Sequence, residues 1–120
     1  MHELSVSSAI VDTAVRHAEG RRVTSVQVRL GRLRQVIPAS LAFYFELVSR
    51  ETVCDGARLD QEVVPAALRC RGCERSWEIE FPDFRCPACG RADVEVVSGE
   101  EFEVESIEVE AEEAACTAPR

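Results

Sequence analysis

The chain has 120 residues, 46% of them hydrophobic, and a formal net charge of −8. That length bounds it to one domain, or to one small domain carrying a metal-stapled module. The acidic balance opposes binding to phosphate backbones, which draws its affinity from positive charge, and no apolar run is long enough to span a bilayer. The start, Met1-His2-Glu3-Leu4, has neither the basic nor the apolar segment of a secretory signal. The six cysteines are therefore expected in a reducing cytoplasm, where paired Cys-x-x-Cys units hold metal rather than form disulfides.

In chain order, the first predicted element is a helix from Glu3 to Glu19. Val6, Ile10, Ala14 and Ala18 form its stripe, with Leu4, Val11 and Val15 broadening it. Arg16 and His17 suit its negative end, and Gly20 is the expected cap. A strand follows from Val23 to Leu30, with Val26, Val28 and Leu30 on one face and Gln27 and Arg29 on the other; Gly31 ends it. Pro38 opens a second helix, Ala39 to Arg50, whose apolar side includes Leu41, Tyr44, Phe45 and Val48. Cys54-Asp55-Gly56 turns into a strand over 57–64, which Pro65 breaks. Gly99 precedes a last strand, Glu101 to Glu110.

That last strand changes parity: Phe102 and Val104 are even, Ile107 and Val109 odd. A bulge or twist near Glu105–Ser106, or partial cover on both faces, is expected. Nine glutamates fall between Glu95 and Glu113, read as a solvated strand face and tail. The predicted fold is α+β, two helices packed on a small three-stranded sheet, with a four-Cys module of the zinc-ribbon kind inserted between two strands. Its boundaries are 1–64, the module at 65–97, the last strand at 98–110, and a tail at 111–120 expected to be disordered.

Cys70/Cys73 and Cys86/Cys89 carry the strongest chemistry. The twelve residues between the two pairs are short enough for both to fold onto one ion. Cys70-Arg-Gly-Cys73 and Cys86-Pro-Ala-Cys89-Gly90 hold the Gly and Pro that such knuckles need. Four soft thiolates in a tetrahedron favour Zn(II), and a four-Cys site leaves no open position for substrate. The zinc is expected to be structural.

His2 poses a separate question. At position 2 an imidazole can chelate together with the Met1 amine and its own backbone nitrogen, and the Glu3 amide is a further donor. Ni(II) and Cu(II) displace amide protons and favour square-planar nitrogen ligation. On residues alone the signal is weak, and chance is the better account of a Met-His start.

The chain resembles the HypA family of nickel metallochaperones over residues 1–110. The resemblance rests on Met1-His2-Glu3-Leu4-Ser5, Val26-Gln27-Val28-Arg29-Leu30-Gly31 and Val36-Ile37-Pro38. It continues through Leu41-Ala42-Phe43-Tyr44-Phe45-Glu46, Gly56-Ala57-Arg58-Leu59, the two cysteine pairs, Ser98-Gly99-Glu100-Glu101 and Ser106-Ile107-Glu108-Val109-Glu110. It implies a nickel site on His2 with the Met1 and Glu3 nitrogens, placed in a domain formed by 1–64 and 98–110. It also implies a structural zinc held by Cys70, Cys73, Cys86 and Cys89. Nickel is then transferred cargo, for maturation of [NiFe]-hydrogenase. The implied partners are a HypB-type GTPase, the hydrogenase large-subunit precursor and, in some organisms, urease maturation proteins, with no nucleic acid or membrane. The tail with Cys116 departs from the family pattern.

The remaining residues have plain readings. His17 sits at a helix end, Cys54 in a partly buried turn, Cys116 in the tail. Trp77, Phe81 and Phe84 are expected to pack the module's small core. No nucleophile–base pair and no Gly-rich phosphate loop argues for an enzyme. The competing class is a zinc-ribbon adaptor for protein or nucleic acid; a Cys-x-x-Cys redox protein comes third.

Overall fold

A computed structural model describes residues 2–80 and 84–111, the His2 side chain excepted. The first helix, α1, spans His2–Ala18. Ser7, Ile10, Val11, Ala14 and Ala18 are its buried positions. At about 100° per residue this arc leaves Leu4 and Val15 on its flank, roughly 60–80° from the centre. Both were expected in the stripe, and both are exposed. Ser7 enters instead because its hydroxyl is satisfied, donating to the Leu41 carbonyl at 3.3 Å. Glu19 and Gly20 turn left-handed at the helix end.

Strand β1 spans Val23–Gly31 and leads through a 3-10 turn, Arg32–Arg34, to helix α2, Pro38–Ser49. Leu41 and Phe45 are buried with Ser49, Tyr44 and Val48 half-buried, and Phe43 57% exposed. Strand β2 is Arg58–Val64 and the last strand, β6, is Phe102–Val109. They form a sheet in the order β2-β1-β6. Gln27 reaches Asp60 and Arg29 reaches Glu62, so β1 and β2 advance together, as a helical crossover allows. Arg29 with Glu103 and Ser25 with Glu108 run the other way, making β6 antiparallel to β1. The half-buried positions of β6, Val104, Ile107 and Val109, change parity as its sequence requires.

The expected single three-stranded sheet is an undercount. The cysteine segment builds a second, with β3 (Ala66–Cys70) at its centre between β4 (Ser76–Ile79) and β5 (Val94–Ser98). Ala66, Leu68 and Cys70 alternate inward, and Leu68 lies opposite Trp77 in the β3–β4 register. Strands of only four or five residues are too short for their alternation to stand out in the sequence.

By contacts the chain forms two units: residues 1–27, 37–60 and 104–120, and residues 28–36 and 61–103. The first is centred on Ile10, Ala14, Val26, Leu41 and Phe45, all nearly inaccessible. In the second, Val28, Leu30, Ala66 and Leu68 are buried with Cys70 and Cys86. Phe84, expected in the module core, is 40% exposed, and Trp77 is half-buried. Phe81, Cys116 and the expected tail disorder lie outside the described residues. Among the described residues no helix is long and apolar enough to cross a membrane.

Candidate metal centre

Both cysteine pairs sit in the same backbone device. The Cys70 N–H donates to the Arg75 carbonyl at 2.9 Å, and its carbonyl accepts from Glu74 N–H at 2.8 Å. One knuckle on, Cys86 N–H donates to Arg91 at 2.9 Å and its carbonyl accepts from Gly90 N–H at 2.8 Å. The residue after each second cysteine, Glu74 or Gly90, is left-handed, at φ 62° and 75°. β3 delivers Cys70 from its end, and the Arg71 N–H bond to the Asp93 carbonyl (3.0 Å) ties the knuckle to the start of β5.

The equivalence makes a prediction, since only one knuckle has the residue its backbone favours. A left-handed L-residue costs about 1–2 kcal/mol, partly offset by the chain entropy a glycine loses. Glu74→Gly should therefore stabilise the second unit by about 0.5–1 kcal/mol, and Gly90→Ala should weaken it by a similar amount. Urea midpoints read the two opposite signs; equal shifts would contradict the shared geometry.

The four sulfurs converge. Cys70 Sγ lies 3.6 Å from Cys89 Sγ, Cys73 Sγ lies 3.6 Å from Cys86 Sγ, and all four fall within 4.8 Å of one another. A tetrahedron with Zn–S bonds of about 2.3 Å has edges of roughly 3.8 Å, so the donor set fits zinc in number, softness and spacing. Cys70 and Cys86 are buried while Cys73 and Cys89 are exposed.

The thiols are electrostatically inequivalent. The Cys73 N–H is the leading cause that lowers Cys70. Burial pushes Cys86 up, yet the N–H groups of Cys89 and Ala88, with the Cys73 and Cys89 thiols, bring it down to about 6. The Ala88 N–H stands 3.4 Å from Cys86 Sγ. For Cys89 the Arg91 N–H pulls down, but burial and the neighbouring Cys70 and Cys86 prevail and raise it to about 11. Cys73 is likewise raised, the Arg75 N–H being outweighed by Cys86, burial and Cys70. One sulfur of each pair thus gives up its proton more readily than its partner, and all four must be thiolates to hold a cation. A Cβ on Gly72 would lie 2.9 Å from Arg91 Nη1 and 3.7 Å from Cys70 Sγ. That guanidinium offers positive charge beside a cluster that four thiolates and a divalent ion leave doubly negative.

The other candidate residues stand apart. Glu3 is half-buried, and its Oε2 accepts from the Ile37 N–H at 3.1 Å. Met1 and the His2 side chain lie outside the described residues. The His17 ring bonds through Nδ1 to the Thr13 carbonyl at 2.9 Å on its own helix, and joins no ligand cluster among the described residues. Cys54 is fully buried rather than partly so, its thiol pushed up by burial, with its N–H bonded to Thr52 Oγ1. Sequence reasoning missed the Glu3–Ile37 bond, because nothing local connects residues 34 positions apart.

Two helices, two small sheets and a closed four-thiolate centre define a small α+β metal-binding protein. The family model for hydrogenase/urease nickel incorporation metallochaperones, HypA, matches residues 1–109, and the chain belongs to that family. A hydrogenase maturation factor HypA of Geotalea uraniireducens is 44% identical over 110 residues, covering 92% of this chain and 100% of the relative. One from Streptomyces avermitilis is 40% identical over 112 residues, covering 89% and 86%. The solution structure of the nickel metallochaperone HypA from Helicobacter pylori matches with a TM-score of 0.66 at 27% identity, covering 93% of this chain and 100% of that one.

Proposed function

We propose that the protein carries Ni(II) at its N-terminus and passes it on for maturation of [NiFe]-hydrogenase, while Zn(II) on Cys70, Cys73, Cys86 and Cys89 holds the second unit together. His2 supplies an imidazole, and the Met1 amine and the His2 and Glu3 backbone nitrogens complete a nitrogen-rich site. The observation that carries this reading is the start of α1 at His2, in a chain of a nickel-incorporating family. The first N–H groups of a helix have no intrahelical partner, so nickel can displace their protons without breaking a helical bond.

The two centres suit different tasks. Four thiolates on two knuckles close round an ion and release it only when the knuckles come apart. A terminal chelate of few ligands opens with a small movement, which is what a donor of metal needs. The proposed partners are a HypB-type GTPase, the hydrogenase large-subunit precursor and urease maturation proteins, all met in the cytoplasm. The protein's task is transfer, without catalysis.

The test is an isothermal nickel titration on protein with a native N-terminus. About one Ni(II) should bind per chain beyond zinc, as one four-nitrogen site requires. His2→Ala should abolish that binding and leave zinc in place, and an N-terminal tag should weaken it. A His2→Ala titration matching the parent's would sink the site.

A further inference from the structure

α2 begins without a side chain able to cap it. Its N-cap is Ile37, which offers no side-chain hydrogen bond, and Pro38 follows at the first helical position. In a capping box, the carboxylate three residues into the helix reaches back to the N-cap N–H. Here that place holds Ser40, and the acceptor comes from another helix: Glu3 Oε2 takes the Ile37 N–H at 3.1 Å. The two helices run side by side from this point, since one turn on, Ser7 bonds to the Leu41 carbonyl. Glu3 is thereby held at its far end, and its own amide nitrogen adjoins His2 in the chain.

We propose that Glu3 is a positioning residue for the N-terminal nickel chelate: its carboxylate is a tether to α2, not a metal ligand, and fixes the backbone on which the chelate forms. The proposal deepens the nickel reading above and rests on it. A chelate assembled from consecutive backbone nitrogens needs those nitrogens held in one arrangement, and a fraying first turn would have to be ordered at binding. The tether supplies that order beforehand. It also makes the first turn of α2 part of the nickel site's support, although no residue of α2 contributes a ligand.

A double-mutant cycle separates the tether from a ligand. Glu3→Ala removes the acceptor. Ile37→Pro removes only the donor N–H; Ile37 already has φ −91° and ψ 114°, close to what proline followed by Pro38 adopts, and its side chain is 58% exposed. Each single variant should weaken Ni(II) binding about tenfold, and the double variant should bind no worse than either. Glu3→Gln, which keeps an acceptor oxygen, should restore binding to within about threefold of the parent. In zinc-loaded protein without nickel, the Ile37 amide should lose hydrogen-exchange protection in Glu3→Ala and keep it in Glu3→Gln.

Parent-like nickel binding by Ile37→Pro, with weak binding by Glu3→Ala, would overturn the tether and make the carboxylate a ligand. Glu3→Gln binding as weakly as Glu3→Ala would overturn it too, assigning the effect to charge. Should Ile37→Pro fail to fold, the Glu3→Gln comparison and the exchange of the Ile37 amide still decide. Failure of the nickel reading shows differently, as unaltered titration of His2→Ala, and the exchange experiment reports the tether without any nickel.

Discussion

Replacing Cys73 by Ala should strip the protein of zinc and unfold the cysteine module, residues 65–97, while the helical signal survives. The argument is one of magnitudes. The one large aliphatic side chain fully buried in the cysteine-bearing sheet is Leu68; Trp77 is half-buried and Phe84 exposed. Full burial of a leucine contributes about 1.5–3 kcal/mol, far below the ordering entropy of a segment this long. A structural zinc site contributes about 10–16 kcal/mol, so the metal decides whether the module folds. Three remaining sulfurs leave an open, hydrated position and a weakened hold.

Zinc content after mild chelation should fall from one ion per chain to none, and proteolysis should open the arginine-rich 69–91 segment. Ile10, Ala14, Leu41 and Phe45 pack without any cysteine ligand, which preserves α1 and α2. Retained zinc with unchanged protease resistance would contradict this. Proton competition gives a second readout with a definite sign. Zinc binds thiolates, and Cys89 stands at about 11 with Cys73 also raised, so loading at neutral pH must release protons. Affinity should rise with pH, and fall most steeply once Cys86, at about 6, also takes up its proton.

Gly31→Ala should be the most damaging substitution outside the metal centre. Gly31 has ordinary extended dihedrals, φ −72° and ψ 143°, so its glycine is a matter of space. A Cβ there would lie 2.0 Å from both C and O of Gly99 and 2.5 Å from Glu100 N. These are backbone atoms, fixed by the Gly31 N–H bond to Glu101 (2.7 Å) and the Leu33 N–H bond to Gly99 (2.8 Å). Gly99 is itself crowded, since a Cβ on it would stand 2.6 Å from Ala66 Cα. Three backbones are therefore stacked without room for a methyl group.

Overpacking that backbone must absorb costs about 3 kcal/mol or more, roughly 10 °C or more in melting temperature for a chain this size. Gly90→Ala is the control, since a Cβ there meets open space and pays only for its left-handed φ. Melting curves on the zinc-loaded proteins separate the two; a Gly31→Ala protein melting with the parent would refute the stacking.

Much of this was legible along the chain. The α1 pattern, the Pro38 start of α2, the valine face of β1 and the Cys-x-x-Cys spacing are local signals, each set by periodicity or ligand reach. Gly31 could be read as a strand end, but not as a contact with Gly99, because that contact joins segments far apart in sequence. β3, β4 and β5 are not legible because strands of four or five residues are too short for alternation to stand out, and their partners lie elsewhere in the chain. Val15 belongs to an apolar stripe by sequence but lies at its edge by angle, and Ser7 shows no local sign of burial because its partner, the Leu41 carbonyl, belongs to α2.

The sequence by itself determined the four thiolates and their number, since ligand type and spacing fix a closed soft-metal site before any fold is known. It also set His2 beside Met1 and Glu3, whose nitrogens the proposed nickel chelate uses. Only the tertiary structure decided which sulfur of each pair loses its proton more readily, because that depends on the N–H groups and thiols folded toward it. Only it decided what Glu3 holds, because a hydrogen bond between two helices is a fact of packing that no local pattern encodes.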